Sequence, residues 1–499
     1  MKKIIALFVV MLISSVAFAD ISPAALEMIK KLEARIVELE KAQTSTASNK
    51  QATKIKSQDF KKLEKKVAKI ENKQNKQNKK ISKINKLAAS DNLKFDVDFR
   101  TSYDNIQYKT ASGKKYSNDA LYSNRLWLGM GYAPVENLFF LGQLSFNKAF
   151  GANYNQRGIG YDAFDWVINE NLTDDTLKVR EAYWVWTPKT GDIGWTLSAG
   201  RRPSTNGYLI NLRDDDKAKS PMGHIINMEF DGVSASMQIN TYVPGMYFKL
   251  CLGRGLTNAK SRFDNTGLDY TKDGSSLDNM DLAGLIFQAY DDGQYSIMAN
   301  YYRGFNVVGN DITGQNGGTA ILPVMTTYGE MDGAVISGKI EGIGDEINDF
   351  LDETILFASF AWTQTKPNAT QRMLGSSDKK SGTSFWLGAQ MPNLTGGKFG
   401  IEYNHGSKYW RPFTFGEDTM IGSKMATRGN AYETYWTQPL IQKAFSMQVR
   451  YTYIDYEYSG SNAFFGDGGA PMNMSDAVAA GNDPIDIAQD LRVYFRYRY

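Results

Sequence analysis

Leu491-Arg492-Val493-Tyr494-Phe495-Arg496-Tyr497-Arg498-Tyr499, the end of the chain, decides the fold. The odd positions are apolar or aromatic throughout, whereas Arg492, Arg496 and Arg498 stand on the even ones with Tyr494 between them. Alternation with period two is the mark of a strand, because successive side chains leave it on opposite faces. A strand in a soluble core has no use for arginine at alternate positions. A strand with hydrocarbon on one side and water on the other does. Near residue 93 the same pattern opens, with Leu93, Phe95, Val97 and Phe99 on one face and Lys94, Asp96, Asp98 and Arg100 on the other.

Between these two segments, period-two runs predict strands near 93–103, 121–132, 137–148, 177–188, 193–202, 225–238, 244–253, 279–291, 293–303, 328–343, 351–365, 381–391, 397–406, 430–438, 443–458 and 487–499, sixteen in all. Their connections alternate in length. Short ones fall at 133–136, 188–192, 239–243, 291–293, 344–350, 392–397 and 439–442; long ones fall near 104–120, 149–176, 203–224, 254–278, 304–327, 366–380, 407–429 and 459–486. Short turns at one end and long loops at the other are the asymmetry of bacterial outer-membrane barrels, and an even strand count returns both termini to the periplasmic side. The fold class expected is an all-β antiparallel transmembrane barrel of about sixteen strands, at residues 91–499. Aromatics near strand ends (Trp127, Phe139, Phe140, Trp184, Trp186, Tyr301, Tyr302, Trp362, Trp410 and Trp436) read as interfacial girdles. Phe495, Tyr497 and Tyr499 form a terminal aromatic signal of the kind that barrel-assembly machinery reads.

Ahead of the barrel the chain is a different material. Lys2 and Lys3, the apolar run 4–13 and the small-residue pattern Ala17-Phe18-Ala19 make residues 1–19 a secretory signal. Residues 20–90 show heptad spacing in Ile29, Leu32, Ile36 and Leu39, and again in Phe60, Leu63, Val67, Ile70, Ile81 and Ile84. Gln74 and Gln77 occupy the seam between. The expectation is a periplasmic helical segment of coiled-coil character, with a solvated Lys-rich linker as the alternative. The first 92 residues hold 20 Lys and Arg against 9 Asp and Glu (+11), and the remainder holds 37 against 45 (−8). A basic rod of this kind suits contact with peptidoglycan or another anionic envelope polymer, and a seam suits a homo-oligomer, for which a trimer is the expectation. Outer-membrane lipid is the expected solvent of the barrel, and no nucleic-acid partner is expected.

Mean hydropathy is −0.41, and no stretch after residue 19 is apolar for long enough to cross a bilayer as a helix. One cysteine, Cys251, excludes an internal disulfide, and two histidines, His224 and His405, offer no metal set, so no metal or cofactor is expected. Neither histidine has a serine in a recognisable nucleophile context, so catalysis is not expected.

Sixteen strands enclose a lumen too wide for side chains alone to fill, and a channel narrowed by an infolded loop follows. Arg201, Arg202, Arg213, Asp214, Asp215 and Asp216 make the connection 203–224 and its flank the segment expected to fold inward. Strand parity directs Arg125, Arg202, Arg450, Arg492, Arg496 and Arg498 at the lumen. On the closing strand these read first as closure salt bridges to Asp96 and Asp98, and second as a ladder that guides solute. The basic lumen favours anions and the acidic outer loops favour cations, so the charges leave selectivity open.

Gly200-Arg201-Arg202-Pro203-Ser204, Leu212-Arg213, Ser220-Pro221 and Asn227-Met228-Glu229-Phe230-Asp231-Gly232 together resemble a signature of an uncharacterised family of outer-membrane, porin-like proteins that begin with a signal peptide and a coiled-coil segment. The resemblance covers most of the chain. It implies a barrel and a channel and transfers no solute and no functional residue.

Overall fold

A computed structural model describes residues 93–499 apart from 153–171, 173–175, 264, 275–276, 314–318, 344–346, 415–416 and 464. The expected signal and coiled-coil segments lie outside the described residues. Sixteen long strands follow one another around a ring: β1 (Lys94–Thr110), β2 (Lys115–Val135), β3 (Leu138–Ala149), β4 (Lys178–Trp186), β5 (Ile193–Ser204), β6 (Ile226–Gln238), β7 (Tyr247–Leu256), β8 (Met280–Asp291), β9 (Tyr295–Thr313), β10 (Thr319–Glu341), β11 (Ile355–Pro367), β12 (Ser381–Pro392), β13 (Lys398–Gly406), β14 (Gly429–Ile441), β15 (Phe445–Tyr456) and β16 (Ile485–Arg498). Each pairs antiparallel with its neighbours in sequence. β16 returns to β1, from Asp98↔Arg498 to Thr110↔Ile485, and Val97 and Tyr499 exchange backbone bonds of 2.9 Å at the end of the seam. Closure leaves no unpaired edge, the condition for crossing hydrocarbon with strands. Among the described residues no helix is long and apolar enough to cross a membrane.

The alternation in sequence is the alternation of the wall. On β16, Leu491, Phe495 and Tyr497 are exposed outward at 41–44%, while Arg492 and Arg496 are buried inside. Phe95, Leu285, Ile297, Ile336, Phe360, Leu387 and Ile401 continue the exposed apolar band around the ring.

Two expected loops prove to be strand. The β1–β2 ladder continues to Lys109↔Lys115, and the β9–β10 ladder to Thr313↔Thr319. Above Tyr103 the outward positions become Asn105, Gln107 and Lys109, so the apolar half of the alternation stops while backbone pairing does not. Three of the expected girdle aromatics are also corrected. Trp127, Tyr302 and Trp410 are buried inside the barrel, whereas Trp184 and Trp186 face outward at 46% and 42% exposure. Trp127 turns inward because Arg125 and Arg180 stack on its ring, with guanidinium carbons 3.5 and 4.1 Å from the centroid.

Inward aromatics are accommodated by glycines on the next strand. A Cβ on Gly400 would fall 2.0 Å from Cζ of Tyr435, and one on Gly388 would fall 2.1 Å from Cζ of Phe357. Gly400→Ala is expected to lower unfolding free energy in denaturant titration by about 1–3 kcal/mol through forced displacement of the Tyr435 ring. An unchanged midpoint would mean that the ring moves freely.

Candidate functional site

Among the described residues two segments that enter from the long-loop end supply most of the filling of the lumen, with Met373 and Phe465 of other long connections joining the same core. The connection 205–225, between β5 and β6, pairs Gly207–Tyr208 with Lys219–Met222 and turns through one helical turn, Ile210–Arg213. Leu209, Ile210, Met222 and Ile225 pack it against Leu282, Ile286, Met298, Tyr302, Phe357 and Trp386 of the wall. The connection 407–428, between β13 and β14, lays Phe413 and Thr414 beside Ile226 and Asn227 and adds Trp410 and Met425 to the same core. One side of the lumen is therefore apolar and packed.

Charge fills the other side, against β1, β2 and β13 to β16. Asp418, on the second segment, is its centre. The carboxylate accepts both terminal nitrogens of Arg100 and stands 3.4 Å from Arg492, 3.6 Å from Arg450 and 3.9 Å from Arg125. Its backbone carbonyl accepts from Arg450 and Arg492, each at 2.5 Å. Burial alone would raise Asp418, but Arg100, Arg492 and Arg450 outweigh it and hold the carboxyl well below the usual carboxylate range.

The first segment supplies a second set. Its Arg213 donates to Glu433 at 3.1 Å, where it meets Lys424 of the second segment, which bridges Glu433 at 2.5 Å and Glu402 at 2.7 Å. Arg496 donates to Asp98 at 2.9 Å and Asp216 at 3.0 Å and to the carbonyl of Asp214 at 2.7 Å. Arg498 reaches Asp216 at 3.2 Å, and Asp215 meets Lys398 at 2.5 Å. Lys398 and Arg498 lie where β13 begins and β16 ends, so this segment crosses the lumen as far as the short-turn end.

Register assigns each sequence candidate a side. Arg125, Arg202, Arg450, Arg492, Arg496 and Arg498 stand on inward positions, and Arg213, Asp214 and Asp216 lie within the barrel, with Asp215 half exposed at its mouth. Arg201 stands on the opposite parity of β5 from Ser198 and Arg202: it donates to the carbonyl of Val179, pairs across the ladder with Asp231 and lies 3.2 Å from the buried Glu229, tying β4, β5 and β6 together. Asp96 is a correction: it lies over Gly129, beyond the last paired residue of β16, and the carboxylates that bridge the seam are Asp98, which accepts from Arg496 at 2.9 Å, and Asp104, fully buried against Arg492 at 2.5 Å. Parity could have found Arg100, Asp104, Glu402 and Glu433. Asp418 gave no periodic signal, since it is delivered by a loop.

His224 closes a chain of hydrogen bonds that the sequence did not reveal. Ser337 donates to Ser359 (2.7 Å), and Ser359 stands 2.7 Å from Nδ1 of His224. Nε2 lies 2.9 Å from Ser384, which donates to Asn404 at 3.0 Å. A neutral ring with the proton on Nε2 satisfies every member, an assignment made from the network. All five side chains are buried, and the chain pins the first segment to β10–β13. Burial pulls His224 down to about 3, against a partial offset from Asn404. A depressed folded value means that stability is full above the ordinary histidine range and is lost as pH falls from about 6.5 toward 3, by up to about 1.4 kcal/mol per pH unit. Denaturation midpoints measured across that window should show the slope in the native protein and lose it in His224→Gln.

A cavity of about 420 Å³ remains at the short-turn end, between the first segment and the wall of β4, β5 and β7 to β10; its lining includes Arg202, Lys219, Lys249 and Lys339. Among the described residues no group of His, Cys, Asp and Glu is arranged to hold a metal ion.

A family model described as a protein of unknown function, DUF3373, matches residues 115–499. No curated protein matches the chain. Among solved structures the chain is similar to OmpT of Vibrio cholerae lacking loop L8, at 11% identity and TM-score 0.43 over 82% of this chain and 99% of that one. It is similar to Salmonella typhi OmpF in complex with daunomycin, at 11% identity and TM-score 0.43 over 81% and 97%. It is also similar to an anion-selective porin from Comamonas acidovorans, at 10% identity and TM-score 0.43 over 82% and 99%.

Proposed function

The chain belongs to the DUF3373 family of unknown function, and on that premise we propose that it is an outer-membrane channel that passes small hydrophilic solutes or ions through a lumen narrowed by two infolded segments. The observation that carries this reading is the facing of Arg100, Arg125, Arg450, Arg492 and Arg496 on the wall by Asp214, Asp216 and Asp418 on those segments. Opposed charges across a constriction set the field that a solute crosses. Water belongs in that space. Among the described residues Arg100 Nε, Arg492 Nη2 and Glu402 Oε1 are buried without a hydrogen-bond partner, as are Arg450 Nη1 and Asp214 Oδ1, which face each other at 3.8 Å, and polar atoms in that position are satisfied by water.

The exposed apolar band supports residence in outer-membrane lipid, and the outward Phe495 and Tyr497 with the terminal Tyr499 support delivery by barrel-assembly machinery. Residues 20–90 belong to the reading as a periplasmic coiled coil that contacts the cell wall and joins copies as a trimer.

One observation favours a second reading, a non-conducting structural or adhesive barrel: Trp386, Gln448 and Arg492 point inward and are wholly inaccessible. Single-channel recording of the purified protein in planar bilayers, with reversal potentials across a KCl gradient, decides between them. Stepwise openings in groups of three are the expected result. An inserted but silent barrel removes the channel and leaves the structural role.

A further inference from the structure

We infer that the cavity at the short-turn end is a binding site for a small organic carboxylate, held by Arg202 and Lys249; this rests on the channel reading and names the class of solute the channel prefers.

The lining sets cations against carboxylates that are already engaged. Glu181 accepts Lys219 at 2.5 Å, Asp291 accepts Gln288 at 2.6 Å and the backbone of Gly293 at 3.0 Å, and Lys339 is paired with Glu341. Arg202 and Lys249 are left with neutral oxygens among the described residues. Arg202 donates to Ser198 Oγ at 2.7 Å and Lys249 to Ser220 Oγ at 2.6 Å. Both side chains are half-buried and line the same space. Neither cation has a carboxylate bonded to it, and the lining holds four cations (Arg202, Lys219, Lys249 and Lys339) against two carboxylates (Glu181 and Asp291), so Arg202 and Lys249 repel each other with part of their hydration lost, and an anion relieves both costs.

The rest of the lining says what kind of anion. Tyr183, Tyr208 and Tyr247 present rings and hydroxyls, and Leu209 and Met298 add apolar surface. Arg202 lies over the Tyr183 ring, 5.6 Å from its centroid, which fixes the guanidinium plane. An apolar wall with a few convergent polar groups is the make-up of a small-molecule site, and the volume falls within the usual range for one. Inorganic ions would use the two cations and leave the rings idle. An organic monocarboxylate uses both.

The probe is benzoate, titrated by calorimetry into the folded, detergent-solubilised full chain, with benzamide as its neutral analogue and inorganic phosphate as competitor. Saturable benzoate binding is expected, with benzamide weaker by about tenfold or more. The double variant Arg202→Gln/Lys249→Gln should lose about tenfold to hundredfold in affinity, and Arg202→Lys/Lys249→Arg should keep most of it. Heat-modifiable migration on gels confirms that each variant is a closed barrel. Absence of saturable binding, equal binding of benzamide, displacement of benzoate by equimolar phosphate, or an unaltered double Gln variant each overturns the site. Benzoate binding by a protein silent in bilayers would retain the site and remove the channel, whereas conductance without binding would do the reverse.

Discussion

Asp418→Ala is expected to raise single-channel conductance several-fold and to move the reversal potential toward anion preference. One carboxylate faces Arg100, Arg125, Arg450 and Arg492, and only Arg125 and Arg492 have another carboxylate among their ion pairs that is not itself on an infolded segment: Asp98 at 3.5 Å and Asp104 at 2.5 Å. Removing one partner from a buried charge network leaves uncompensated charge, at a cost of about 3–5 kcal/mol. The backbone carbonyl of residue 418 still accepts from Arg450 and Arg492, so the segment is loosened at its tip and not expelled. The lumen then carries four guanidinium groups with less to oppose them, and anions gain. Recording in bilayers across a KCl gradient measures both effects at once. Conductance and reversal potential equal to those of the native protein would remove Asp418 from the constriction.

Arg492→Met should be among the most destabilising single substitutions in the barrel. Arg492 and Asp104 are both fully buried, 2.5 Å apart, on the two strands that close the ring. Loss of the guanidinium leaves the buried Asp104 carboxylate without its cation, again at about 3–5 kcal/mol. Replacing both partners with apolar residues removes the desolvation cost along with the attraction, so Arg492→Met/Asp104→Leu should recover most of the loss. The temperature at which the band shifts on gels provides the readout. If the single variant melts with the native protein, or the double variant melts with the single one, the pair does not hold the seam.

The wall could be read from the chain because a barrel strand repeats one rule many times. Leu491 to Tyr499 states the rule, and β1 obeys it as far as Tyr103. The filling of the lumen could be read only in part. Arg213 to Asp216 advertised themselves as a dense mixture of charge beside a strand end, whereas Asp418, within the long connection 407–429, carries no periodic or compositional signal. Nothing in the periodicity of a wall reports which loop turns inward, since that depends on contacts between residues far apart, such as Arg100 with Asp418 across 318 positions. Trp127 and Trp410 misled for a related reason. A tryptophan near a strand end serves equally at a lipid interface and beneath an infolded segment, and only its neighbours decide.

The crossing of the lumen by the first segment places a constraint on biogenesis. Its tip is held by Arg496 and Arg498 of β16, and Asp418 of the second segment is held partly by Arg492 of the same strand. The His224 chain and the Glu433 pairs of Arg213 and Lys424 can hold both segments to β10–β14, but their charged tips find their last partners only when β16 has paired with β1, and contacts of such long range are the slowest a chain makes. Seating of both tips is thus a report that the ring has closed. A chain that stops before Leu491 is expected to lose more than one strand: the charged tips of both segments would be left in an open sheet without their partners Arg492, Arg496 and Arg498.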